Sequence, residues 1–384
     1  MLPGTFAHSQ HWQEEFNRCK NGYTIGKYTL TGENYFFINY YRLLSVFGTQ
    51  EGGELREEDF PVFIAKQYEY FHYLELVRKT KHDGLAFKSR GVGASEIAAS
   101  NIACAYTFHQ ASWNIVTAYS INYVTPTLSK VWQELDFLNT RTEMAFRHVR
   151  MKIDTNMKKK ASKVDLDKNE FGWGSVIEGI VADEPRKLRG NRVYSIYFEE
   201  AGSNPVLIDT YIQSRALINL NGRRVGSRFL FGTAGDTGPN LVGLKSMFYE
   251  PEQYFILPYK HNYTKTGDFI YSGYFIPSYT MWFGDDTLNI PGFDNRGVVD
   301  EESAKKHYEA IWSKIKDPKL LIKDKAEYCF TPEDAFVLEG GGVFDAEKLA
   351  EQKINIEQLH LIEKPKPAKL IWPFNKEAGK VDRT

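Results

Sequence analysis

Two short stretches, far apart in the chain, hold the residues whose types and spacing could do chemistry. The first is Lys88-Ser89-Arg90-Gly91-Val92-Gly93-Ala94-Ser95-Glu96. Gly91 and Gly93 allow a backbone to wrap closely around an anion. The amides from Gly91 through Val92, Gly93, Ala94, Ser95 and Glu96 would then point at it with a helix dipole behind them. Ser95 stands where a hydroxyl would hold Mg²⁺. The spacing departs from the phosphate-loop pattern GxxxxGK[ST], because Ala94 occupies the lysine's place. A lysine stands instead at the start of the loop, Lys88, with Arg90 two residues on, and either side chain could fold back over phosphates. Taken alone, the nine residues also fit a glycine turn carrying two solvated cations.

The second stretch is Val193-Tyr194-Ser195-Ile196-Tyr197-Phe198-Glu199-Glu200, an apolar run that ends in two carboxylates. An acid at a strand tip, Glu199, can reach the water shell of Mg²⁺, and the next, Glu200, can orient and deprotonate an attacking water. Such a run can also be ordinary surface; together with the glycine loop it points to nucleotide hydrolysis. A third run, Arg228 to Asp236, ends in small polar residues and would bring Thr233 near a terminal phosphate. By itself it reads equally as a strand and a glycine turn. Gln67 precedes the loop on a helical stretch opened by Asp59-Phe60-Pro61 and running through Arg78. A glutamine there can pair both edges of adenine, and can equally be a surface residue.

The elements around these residues alternate between buried strand and helix. Residues 83–87 read as a strand, 97–106 as an alanine-rich helix, 112–118 as a second strand and 124–138 as a helix, which is a parallel βαβ unit. Further strands are expected over 172–181, 193–198 and 228–232. The fold class is therefore α/β, a parallel sheet flanked by helices. Residues 1–55 read as an aromatic N-terminal extension of strands and one short helix, 56–240 as the core, 241–342 as a small lid or cap, and 343–384 as a linker. Within the cap, 237–335 reads as irregular and turn-rich, with a helix over 300–315. A glycine hinge at 339–344 and a short helix over 345–354 follow. Residues 147–168 carry eight Lys or Arg against three acids, which fits either a solvated face or contact with a phosphate backbone.

The chain's 384 residues suggest two or three domains, and 42% hydrophobic with 15% aromatic content is enough for sizeable cores. A net charge of −1 excludes a polyanion binder by bulk charge, so any nucleic-acid contact must be local. Cys19, Cys104 and Cys329 are too far apart in sequence for a metal-spaced pair and fit a reducing compartment. With neither a signal-like start nor a long apolar run, the expectation is a soluble intracellular protein without a membrane partner.

Together the pieces resemble the large terminase subunit, the DNA-packaging motor of tailed double-stranded DNA phages, over roughly residues 56–350. Lys88–Ser95 looks like that family's deviant phosphate loop. Leu188-Arg189-Gly190-Asn191-Arg192 followed by Ile196–Ala201 looks like its approach to the metal acid and catalytic glutamate. Gly232-Thr233-Ala234-Gly235 resembles its coupling motif, and Glu327–Phe336 the segment closing its ATPase region. The resemblance implies an ASCE-type P-loop ATPase with ATP and Mg²⁺ as cofactors: Lys88 and residues 91–96 on phosphates, Ser95 and Glu199 on the metal, and Glu200 as base. It makes Arg90 a cis cation and Arg189 the arginine supplied to a neighbour. The implied partners are double-stranded DNA, the portal protein, the small terminase subunit and a five-copy ring on the procapsid in the host cytoplasm, with a monomer in isolation. Two departures stand out: Glu199 where many relatives have Asp, and the displaced lysine. The carboxylates after Gly342 lie in helix or linker context, so the family's nuclease activity is not expected. The alternatives are a helicase-like DNA translocase, or a DNA- or portal-binding module without turnover.

Overall fold

The computed structural model describes residues 3–50, 53–143, 146, 155–164, 170–190, 192–234, 241–285 and 290–336, together with 352, 374–375 and 380–381. The chain divides into two units, Met1–Phe336 and Val337–Thr384, and the central sheet with its flanking helices belongs to the first. The expected hinge at 339–344 and helix over 345–354 lie outside the described residues.

The N-terminal extension holds two helices rather than one. The first, α1 (Phe6–Asn21), is capped by the Thr5 hydroxyl, and α2 (Gly32–Tyr40) by that of Thr31. Between them lies the hairpin of β1 (Tyr23–Ile25) and β2 (Tyr28–Leu30), and after them the pair β3 (Leu43–Gln50) and β4 (Gly53–Asp59). The apolar residues of α1 are few, but Trp12, Phe16 and Cys19 share one face. Phe16 meets Phe108, and Trp12 meets Phe146, both edge to face. The next helix, α3 (Ala65–Lys79), begins later than Pro61 suggested. The intervening residues run on without helix, and the Ala65 amide donates to the Gly297 carbonyl at 2.9 Å.

The core then follows as β5 (Gly84–Lys88), α4 (Ala94–Phe108), β6 (Trp113–Ala118), α5 (Ile121–Arg141), β7 (Lys158–Val164), β8 (Glu170–Val181), β9 (Ser195–Phe198), α6 (Leu207–Gln213), β10 (Asn219–Leu220), β11 (Arg223–Arg224) and β12 (Ser227–Gly232). Beyond it come α7 (Leu241–Tyr249), β13 (Tyr259–His261), β14 (Ile270–Ser272), β15 (Tyr274–Ile276), α8 (Glu301–Trp312), α9 (Pro318–Glu327) and α10 (Pro332–Ala335). Seven strands form one sheet in the order β15-β5-β12-β9-β6-β8-β7, parallel throughout except for the antiparallel β7–β8 pair. The strand order, with β12 inserted between β5 and β9, is that of an ASCE-type P-loop core. Alternate residues face two cores: Ala86, Tyr197, Phe229 and Phe231 point to one side, and Leu85, Phe87, Phe198 and Leu230 to the other. Burial on both faces is why these strands read as continuous apolar runs.

Two stretches differ from expectation. The segment read as irregular supplies the edge strand β15, which pairs with Ala86–Lys88. Part of the basic run forms the opposite edge, β7. There Lys158 pairs with Glu178 at 3.0 Å and lies over Trp113, and Lys159 lies over Trp132. Lysines on an edge strand oppose sheet-to-sheet association, and these two are already engaged. The run's residues 147–154 and 165–169 lie outside the described ones.

Asp83, fully buried just before β5, fixes the end of the sheet away from the loop. Its carboxylate accepts from the Arg228 amide (2.7 Å), Nε (3.0 Å) and Nη2 (2.6 Å), from Tyr211 Oη (2.7 Å) and from Arg224 Nη2. One carboxylate thus ties β5 to β12, β11 and α6. Removing one partner of such a buried pair leaves an uncompensated charge, so Asp83→Ala should lower unfolding stability by about 3–5 kcal/mol. Urea denaturation checks this, with the exposed Asp294–Arg296 pair as a control whose Arg296→Ala variant should unfold at nearly the same midpoint as wild type.

Candidate active site

Lys88 is the last residue of β5, and the chain leaves the sheet there. The Ser89 amide donates to Ile276 O (3.0 Å) and the Arg90 amide to Glu327 O (2.8 Å), so both edges of the loop's start are held. Gly91 has φ +82° and Gly93 has φ +75°, where a side chain would be strained. Gly93 caps α4, and the Ile97 amide donates back to its carbonyl. The first-turn amides before Ile97 have no acceptor within the helix, as at any helix start, and face the cleft with the dipole behind them.

The tip of β9 lies two strands away on the same edge of the sheet. Ser95 Oγ donates to Glu199 Oε1 at 2.5 Å, and Thr127 Oγ1, from α5, donates to Glu199 Oε2 at 2.9 Å. Lys88 Nζ pairs with Glu200 Oε1 at 3.1 Å, while the Thr233 amide, at the end of β12, donates to Glu200 Oε2 at 3.2 Å. Glu200 itself takes a left-handed conformation, φ +45°. For a residue with a side chain that is a strained geometry of the kind that gathers at functional sites. Burial, reinforced by the charge of Glu200, pushes the Glu199 carboxyl up to about 7 against the lowering effects of Ser95, Lys88 and Thr127. Arg90 is engaged by both carboxylate oxygens of Glu327, at 2.7 and 3.1 Å.

These residues line one cleft of about 710 Å³, which holds Lys88, Arg90, the whole run Gly91–Glu96, Glu199, Glu200 and Thr233. The structure thus brings together the candidates from all three sequence stretches. Two candidates lie elsewhere. Gln67 sits on α3 behind the loop, its Nε2 3.4 Å from where a Cβ on Gly93 would stand. Arg189 is exposed, just past the short 3-10 turn Pro185–Lys187, and does not line the cleft. Sequence reasoning missed the cleft's far wall, made by α5 with Tyr123, Thr127 and Lys130, and missed Glu327 as the partner of Arg90. The α5 face had a signal: these three share a helical stripe beside the apolar stripe of Val124, Leu128, Val131 and Leu135.

Among the described residues no group of three or more His, Cys, Asp or Glu could hold a metal by itself. The Ser95 hydroxyl and Glu199 carboxylate are nevertheless a pair of hard oxygen donors in contact. That donor set fits Mg²⁺, which is usually held by one or two protein oxygens, water and a substrate's phosphates rather than by a protein cage.

The raised Glu199 pKa has a consequence for stability. The folded chain holds this proton more tightly than the unfolded one, so folding is favoured at low pH and the advantage is lost as pH rises from the ordinary 4.5 through about 7. Removing the charge with Glu199→Gln should therefore stabilise the metal-free chain above pH 7, by up to about 3 kcal/mol, and the gain should vanish below pH 4.5. Thermal melts of the two proteins across pH 4 to 8 measure it.

No protein-family model and no curated protein matches the chain. Solved structures that resemble it include phage large terminases. The Large Terminase ATPase domain of Thermus phage P74-26 is 14% identical over 68% of this chain and 97% of its own, with a TM-score of 0.40. The large terminase of bacteriophage HK97 is 9% identical over 77% of this chain and 54% of its own, at 0.45. A large terminase from a thermophilic bacteriophage, solved in complex with ADP, is 13% identical over 51% of this chain and 44% of its own, at 0.35. At such values the likeness adds no weight to the chemistry, which stands on the cleft itself.

Proposed function

We propose that this chain hydrolyses ATP and couples the hydrolysis to translocation of double-stranded DNA into a viral procapsid, as the ATPase region of a terminase large subunit. The observation that supports it best is the meeting of the two strand tips, Ser95 on Glu199 and Lys88 on Glu200, across one cleft at the carboxyl edge of a parallel sheet.

In this reading the amides of residues 91–96 and the Lys88 ammonium hold the β- and γ-phosphates. Lys88 must then exchange Glu200 for phosphate oxygen, and Glu200, still held by the Thr233 amide, is released to take a proton from water. Mg²⁺, when bound at Ser95 and Glu199, would neutralise charge on the phosphates. Phosphoryl transfer needs mostly positioning and charge stabilisation, which these few groups supply. Arg90 serves as a cis cation once it leaves Glu327, Gln67 serves the adenine from behind the loop, and the exposed Arg189 serves a neighbouring copy in a five-membered ring. Residues 1–55 are the extension, 56–240 the ATPase core, 241–342 the lid and 343–384 a linker. The portal protein and small terminase subunit are the further partners, at a procapsid in the host cytoplasm.

Glu200→Gln tests the assignment. It should lower ATP turnover by about 10²–10⁴-fold, the usual worth of a general base, while binding of a fluorescent ATP analogue is retained. Native turnover in that variant would remove the reading. Arg189→Ala should leave the feeble turnover of the monomer unchanged and abolish its rise on assembly with procapsids and DNA, a rise of about 10³–10⁵ for an arginine supplied in trans.

A further inference from the structure

Three cations line the cleft, and each is paired with a carboxylate: Lys88 with Glu200, Arg90 with Glu327, and Lys130 with Glu96. The first two come from the phosphate loop. Lys130 comes from α5, on the opposite wall, three residues after the Thr127 that touches Glu199. Neither motif points to it.

Its seat is well built. Lys130 Nζ lies 2.6 Å from Glu96 Oε1, and the other oxygen, Oε2, accepts from Tyr41 Oη at 2.7 Å. Tyr41 is only 1% exposed, so its ring is fixed by packing. Glu96 lies in the first turn of α4, where a negative side chain is favoured by the helix dipole. The carboxylate is thus held by the Tyr41 hydroxyl and favoured by the helix dipole before Lys130 meets it. An ammonium has three protons; Glu96 takes one, and Lys130 has no second partner among the described residues. The remaining donors belong to a side chain that lines the cleft and is one-third exposed.

We propose that Lys130 is a third nucleotide-contacting cation of this cleft, and that Tyr41, from the N-terminal extension, is a positioning residue that sets it through Glu96. This rests on the nucleotide-binding reading above. Glu96 keeps Lys130 aimed; the Tyr41 hydroxyl keeps Glu96 from rotating away. Lys130 pairs with neither Glu200 nor Thr233, the groups assigned to the attacking water, so its proposed contact is one of binding rather than of the chemical step. Such a contact sets affinity and leaves the chemical step alone. The extension thereby has a function at the site beyond packing.

The test uses the full chain, with fluorescent-analogue titration and steady-state ATP turnover. Lys130→Ala should raise both Kd and KM about tenfold with kcat changed less than about twofold, and Lys130→Arg should stay within about threefold of wild type. Tyr41→Phe, which keeps the ring and removes only the hydroxyl, should raise KM about two- to fivefold at constant kcat. The double variant should be no worse than Lys130→Ala alone, because Tyr41 acts through Lys130. Wild-type affinity in Lys130→Ala overturns the inference and leaves the ATPase reading standing. Additive losses in the double variant overturn the role of Tyr41. A wild-type chain that binds no nucleotide at all overturns both readings.

Discussion

Everything at the cleft follows from β12 lying between β5 and β9. Neighbouring strands are spaced about 4.8 Å apart, so the two functional tips are separated by about 10 Å of sheet edge. Long side chains bridge that gap. Lys88 crosses it from the end of β5, and Ser95 approaches from the first turn of α4, which the glycine loop folds back over the sheet. From the other side Glu199 and Glu200 reach toward them. The glutamate at 199, one methylene longer than the aspartate of the resembled motif, is met at both oxygens, by Ser95 and by Thr127. The longer arm is accommodated by the surrounding hydroxyls rather than left to rotate in the cleft.

The strand in the middle also shapes the turn after β9. A Cβ on Gly202 would stand 2.3 Å from the Thr233 carbonyl oxygen, and one on Gly232 2.8 Å from the Ala201 amide. Two glycines therefore let the β9 turn and the end of β12 press backbone against backbone. That contact fixes where Thr233 lies, and its amide then holds the second oxygen of Glu200. The left-handed backbone of Glu200 is what this tight turn imposes, and the Lys88 and Thr233 contacts hold the strained residue in place.

Much of this was legible in the sequence, and the limits have physical reasons. Strands buried on both faces, such as β5, β9 and β12, appear as unbroken apolar runs, and the positive-φ positions of the loop appear as glycines. Glu199 and Glu200 could be read because strand tips in a parallel sheet share one edge. Three partners of the site residues were not read, Thr127 for Glu199, Lys130 for Glu96 and Glu327 for Arg90, because tertiary packing decides which face of α5 and which end of α9 meets the cleft. Edge strand β15 is only three residues long, set between Gly273 and Pro277, so no periodicity marks it. Helix α1 buries few residues, and its hydrophobic stripe is too thin to stand out against its charged ones. The basic run shows a different limit: a lysine stacked on a tryptophan and a lysine facing a phosphate look the same in sequence.

The pairing of cations in the cleft carries a further consequence for the proposed reaction. Lys88 and Glu200 satisfy each other, which avoids leaving a buried ammonium and a partly buried carboxylate unpaired. The same pairing keeps the candidate base occupied. In the proposed reaction, the Glu200 oxygen that Lys88 holds would be open to a water only after Lys88 turns to another partner. In the proposed reaction a triphosphate, carrying more negative charge than one carboxylate, would compete for Lys88, and its arrival would free the candidate base. Displacing the pair subtracts from binding energy, since an existing ion pair must be broken before the new one forms. In exchange, binding and activation would become one event of the proposed reaction, governed by a single lysine placed at the start of the loop, where its arm reaches the tip of β9.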